Sequence, residues 1–118
     1  MTDERRKTLA FLCGMYFLNT QCSGIFDYSR GSFFYLDYSI KGGEISVYDH
    51  ERKCELSGIV PSFHDYGESC FVDLKVKRDG VIDIYDYKTA TDLEAICKEK
   101  NVSLFDYKVG RYYEYQLG

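Results

Sequence analysis

The 118-residue chain reads as an α+β domain, with a mostly antiparallel sheet of about six or seven strands built from hairpins, an N-terminal helix and a second helix near residues 91–100. Three observations predict it. Apolar positions Leu9, Leu12, Cys13, Tyr16 and Phe17 fall at helical spacing. From residue 32 the apolar period changes to two, the period of a half-buried strand. Turn signals at Gly42-Gly43, Asp79-Gly80 and Val109-Gly110 then divide the alternating runs into hairpins. No linker or low-complexity tract interrupts the pattern, and the length supports one core, so residues 1–118 are read as a single domain.

The first helix can be capped by Thr2 or Asp3, carries Asp3 and Glu4 in its first turn, and should end near Asn19 with Gly24 beyond. Its basic-then-apolar order resembles a secretory signal, but the leading acids, Gly14 and Tyr16 in the apolar run, and the lack of an A-x-A site favour a buried amphipathic helix. About Gly42-Gly43, pairing puts Lys41 opposite Glu44 and Ile40 opposite Ile45, with Asp37 and Tyr48 opposite each other on the solvent face. A short strand is expected around 54–60, then a long loop holding the only proline. In "CFVDLKVKRDGVIDIYDY", a three-residue turn with Gly80 left-handed sets Val76 opposite Ile82 and Lys75 opposite Asp83. Thr91 to Glu94 has the S/T-x-x-E form of a helix start, and two more strands meet around Val109-Gly110.

Composition narrows function. The formal charge of −4 disfavours direct nucleic-acid binding, because the short basic stretches "ERRK" and "KVKR" are the only ones, and it favours a basic partner. Twelve tyrosines and no tryptophan suit a surface that contacts another protein. Five scattered cysteines without a C-x-x-C pair fit neither a zinc site nor a disulfide framework, and read as buried thiols in a reducing, cytoplasmic compartment. His50 and His64 sit beside Asp49 and Asp65 without ligand-like spacing, so no metal or other cofactor is expected.

From Phe71 to Thr89 the chain resembles the PD-(D/E)xK nucleases, the matching positions being Asp73, Asp86 and Lys88. That resemblance implies a divalent metal held by two carboxylates and a lysine assisting the attacking water. The hairpin register opposes it, since Asp73 shares a face with Lys75 and Asp83 while Asp86 shares the other with Ile82 and Ile84. The pattern also recurs: residues 45–50, 82–87 and 102–107 share the order apolar, polar, apolar, aromatic, Asp, ring. A strand-end Asp that accepts hydrogen bonds from the next backbone N–H groups, beside a ring packing across the sheet, is the more economical reading. The chain is therefore expected not to be an enzyme.

In acidity, tyrosine content and small size the whole chain resembles immunity proteins of contact-dependent and other polymorphic toxin systems of bacteria, a likeness of character carried by no single motif. It implies an antitoxin that occludes the active site of a cognate, basic nuclease toxin, with carboxylates in place of substrate phosphates. A phage-encoded inhibitor of a host defence nuclease would use the same chemistry. The expected contact residues are Asp27 and Tyr28 after the first helix, His64, Asp65, Tyr66 and Glu68 in the long loop, and Asp37 and Tyr48 on the first hairpin. No membrane contact is expected, and the sequence leaves the oligomeric state open.

Overall fold

The computed structural model describes residues 1–18 and 21–118. One helix, α1 (Asp3–Phe17), precedes ten strands: β1 (Gly24–Asp27), β2 (Ser32–Lys41), β3 (Glu44–Asp49), β4 (Cys54–Ile59), β5 (Ser62–Asp65), β6 (Cys70–Arg78), β7 (Val81–Asp86), β8 (Thr91–Lys98), β9 (Asn101–Asp106) and β10 (Arg111–Leu117). Each strand pairs antiparallel with its neighbours in sequence, and β1 pairs with β10, closing a ten-stranded up-and-down barrel. The α+β expectation of an open sheet with six or seven strands is thereby corrected. Closure removes the sheet edges that a shorter meander would have exposed.

Residues 91–100 are the largest local difference. Thr91–Lys98 is strand β8, and no helix forms there; it is laddered to β7 through Ile84↔Leu93 and to β9 through Ala95↔Leu104. Thr91, Leu93 and Ala95 face the core while Asp92, Glu94 and Ile96 face outward, so a period of two prevailed over a helix-start signal. The long loop also proves shorter, because Ser62–Asp65 is strand β5. Gly24–Asp27, unassigned in the sequence, is β1.

Elsewhere the expected pairings hold. Lys41↔Glu44, Ile40↔Ile45 and Asp37↔Tyr48 form as read, and Gly42 and Gly43 both take positive φ, as a tight hairpin turn requires. Val76↔Ile82 and Lys75↔Asp83 also form, with the extra residue taken up as a bulge between Val76 and Arg78 and Gly80 at φ 78°. Thr2 caps α1, its Oγ1 accepting from Arg5 N at 3.2 Å. Among the described residues the helix ends at Phe17, and Asn19 lies outside them.

The helix is not amphipathic: every residue from Arg5 to Met15 is buried. Successive helical residues point about 100° apart, yet Arg5, Arg6 and Lys7 all find carboxylates on the surrounding strands, so α1 runs inside the barrel. Its apolar length, Leu9 to Met15, packs with Ile25, Leu36, Val47, Leu56, Val72, Leu93 and Leu104 from the inward rows of the wall. A helix with its side chains is about 10–12 Å across, and it replaces the side-chain layers that would otherwise fill the lumen.

Candidate protein-binding face

The strand-end aspartate recurs five times, two more than the sequence template found. Asp27, Asp49, Asp65, Asp86 and Asp106 close β1, β3, β5, β7 and β9, and all five are buried. Asp27 Oδ1 accepts from Ser29 N and Arg30 N, Asp49 Oδ1 from Glu51 N and Arg52 N, Asp65 Oδ1 from Gly67 N and Glu68 N, and Asp106 Oδ1 from Lys108 N and Val109 N. Asp86 Oδ2 accepts from Thr89 N and Thr89 Oγ1. Four residues after each Asp the chain turns left-handed, at Gly31, Lys53, Ser69, Ala90 and Gly110.

The remaining carboxylate valence points inward at the first turns of α1. Arg5 binds Asp86 through two bonds of 2.9 Å and Asp65 at 3.1 Å; Arg6 reaches Asp106 at 3.1 Å; Lys7 and Thr8 both reach Asp49. Arg30 binds Asp27, and Arg52 forks onto Asp65. Five aspartates thus face five cations, and Glu51, bonded to both Lys7 and Arg30, and Asp3, bonded to Arg6, add carboxylates at the edge of the cluster. Burial acts to raise the Asp86 carboxyl, but hydrogen bonds from Arg5 and Thr89 outweigh it and hold the group at about 2. Asp65 is likewise lowered: burial opposes, and Arg52 and Arg5 prevail.

This assignment corrects two expected contact residues. Asp27 and Asp65, at 0% and 1% exposure, are interior ion-pair partners with no surface to offer. Tyr28 and Tyr66 are exposed beside them, but in turns on different sides of the barrel. His64 stacks edge-on with Tyr66 and Phe71, and Glu68 pairs with Lys88 at 2.8 Å. Asp37 and Tyr48 face solvent as expected, with Asp37 hydrogen-bonded to His50 at 2.8 Å. The eight residues therefore do not form one site. Nor do the nuclease positions: Asp86 faces inward onto Arg5, Asp73 faces outward and accepts from Tyr87 Oη at 2.6 Å, and Lys88 is held by Glu68. Among the described residues no group of three or more His, Cys, Asp or Glu is arranged to hold a metal.

One surface does combine charge with aromatic area. A groove on the outer wall across β6, β7 and β8 is lined by Asp73, Lys75, Lys77, Asp83, Tyr85, Asp92 and Tyr107. The ladder sets Asp73, Tyr85 and Asp92 side by side in one row, acid, ring, acid. Neighbouring strands are about 4.8 Å apart, so the two acids stand roughly 10 Å apart across the ring. Tyr87 packs edge-on against Tyr85 at 4.8 Å, and the Tyr107 backbone N–H is tied to the Asp92 carbonyl. Lys77 is engaged by Glu94 at 3.1 Å and Asp83 at 3.8 Å, leaving Asp73 and Asp92 as the acids free of a cation. Reading residues 91–100 as a helix hid this row; the alternation from Thr91 to Ile96 was the signal that would have placed Asp92 beside Tyr85 and Asp73.

Compared with protein-family models, curated proteins and solved structures, the chain gives no match. No helix among the described residues is long and apolar enough to cross a membrane. All five cysteines are free, Cys13 and Cys22 buried and the others half-buried.

Proposed function

We propose that the protein is a binding inhibitor that uses the groove over β6 to β8 to cover the basic active site of a toxin, most simply a nuclease, as an immunity protein of the cytoplasm. The observation that carries this reading is the Asp73–Tyr85–Asp92 row. A partner arginine laid on the Tyr85 ring gains cation–π attraction and finds a carboxylate on either side for fork-like hydrogen bonds. Tyr87 and Tyr107, both more than half exposed, flank the row as aromatic anchors of the kind that dominate protein interfaces. The outer rows also carry Lys75, Asp83, Glu94 and Glu114, charges that a lipid-facing wall does not bear, which supports a protein partner over a membrane.

The test is capture of a partner by tagged wild-type protein from host lysate, with an Asp73→Arg/Asp92→Arg variant and Tyr85→Ala alongside. The expected result is one basic protein retained by wild type and lost from both variants, whose activity on nucleic acid falls stoichiometrically when wild type is added. Retention that ignores all three substitutions would remove the groove from the account.

A further inference from the structure

We infer that the outer face of β10, β1 and β2 is the surface through which the protein pairs with a second copy of itself. The ladder sets Gln116, Phe26 and Phe33 side by side in one row, with Tyr35 one row along β2, opposite Gly24. In the other direction the Tyr28 backbone N–H is tied to the Glu114 carbonyl, and Tyr112 lies beyond on β10. Part of this aromatic content belongs to the turns: the rings before and after each strand-end Asp stack edge-on at 4.5–5.0 Å in all five, Phe26 and Tyr28 among them. Phe33 has a local use too, since its ring covers Gly24, whose Cβ would come within 2.7 Å of it. Tyr35 and Tyr112 lie outside both explanations, and each is more than half exposed.

Charge, hydrogen bonding and area together select a second copy as the occupant. Of the outward side chains between Tyr112 on β10 and Tyr35 on β2, only Glu114 is charged, and it accepts from Ser103 Oγ. Two chains of net charge −4 repel, so they meet at least cost through a face that carries almost none of that charge. A two-fold interface also lays one patch against itself, which requires polar groups that donate and accept alike. Tyr28 Oη donates to Gln116 Oε1 at 3.1 Å, which leaves the phenol oxygen of one copy to accept from the Gln116 carboxamide of the other. A fully buried aromatic side chain removes about 150–250 Å² from water, so Tyr28, Phe33, Tyr35 and Tyr112, at 39–64% exposure, present roughly 400 Å². A standard interface takes about 800 Å² from each partner, a little over half of it apolar. The rings supply most of that apolar share. The groove over β6 to β8 shares no residue with this face, so either proposal can fail without the other.

Sedimentation velocity of the full chain across the micromolar range, at low and high salt, tests the assignment. The expected result is a wild-type species of two-chain mass that forms as concentration rises, and more readily at high salt because screening removes repulsion between the copies. Tyr35→Glu, which sets a carboxylate from each copy on the shared face, and Tyr28→Ala, which removes a central ring, should each weaken pairing at least ten-fold. Tyr85→Ala in the groove should pair as wild type does. Tyr28 and Tyr35 are 54% and 64% exposed, so urea midpoints of their variants should stay close to wild type at concentrations where wild type is monomeric. A wild type that stays monomeric at every concentration, or a dimer that both face substitutions leave intact, would overturn the assignment.

Discussion

A strand-end aspartate here has two tasks: it fastens the turn that follows it and it holds a cation, on the helix for Asp49, Asp65, Asp86 and Asp106 and at Arg30 for Asp27. Asp86 shows what this means for stability. Its carboxyl sits at about 2 in the folded protein against 3.8 ordinarily, and Asp65 is lowered in the same direction. As pH falls the unfolded chain therefore takes up these protons first. The stabilisation is complete above about pH 4 and is lost as pH drops towards 2. Urea unfolding across that window should show a falling midpoint for wild type and a visibly shallower fall for Asp86→Asn. At pH 7 the same variant should lose about 3 kcal/mol, because Arg5 keeps its burial without its bidentate partner. Three of the five aspartates were legible in the sequence from their shared template. Asp27 escaped because β1 is only four residues long, and Asp65 because His64 and Pro61 interrupt the pattern. Their inward direction was not legible at all. The "ERRK" stretch reads as solvated charge until Asp49, Glu51, Asp65, Asp86 and Asp106 are brought round it.

At the scale of the element, the five turns differ in how well their sequence suits their shape. Ala90 adopts φ 51° where Gly31 and Gly110 hold the matching place in two other turns. Left-handed backbone costs an alanine about 1–2 kcal/mol, partly offset by the greater freedom that glycine loses on folding. Ala90→Gly should therefore stabilise by about 0.5–1 kcal/mol. Gly31→Ala should cost a similar amount, since a Cβ there meets nothing within 4 Å and only the backbone angle objects. The helix offers the opposite contest at Gly14. Alanine has the better helix propensity by about 1 kcal/mol, but its Cβ would stand 2.7 Å from Leu117 Cδ1 and 2.9 Å from Val102 Cγ2. Overpacking of that kind costs about 1–3 kcal/mol, so Gly14→Ala should lower stability by about 1 kcal/mol in chemical denaturation. The gentle-looking substitution fails because the helix is enclosed. Its closely spaced apolar positions were visible in the sequence; that every face of it is covered follows only from the barrel.

For the whole molecule, local pairing was readable and closure was not. Hairpins declare themselves through turn residues and matched cross-strand pairs, as about Gly42-Gly43. The contact between Ile25 and Leu117 that seals the barrel joins opposite ends of the chain and leaves no local mark. Reading residues 91–100 as a helix took one strand out of the middle of the wall, and with it the row that now carries the functional proposal. The closed wall separates a buried ion cluster inside the barrel from a tyrosine-bearing outer groove that carries Asp73, Asp83 and Asp92. The most direct measurement is the affinity of the captured basic partner for wild type, for Asp73→Arg/Asp92→Arg and for Ile40→Arg, by titration calorimetry at low and high salt. The account predicts binding weakened at least 100-fold by the groove variant, about 2.7 kcal/mol, weakened by salt in wild type, and unchanged by Ile40→Arg near the end of β2. Equal affinity for wild type and the groove variant would contradict it.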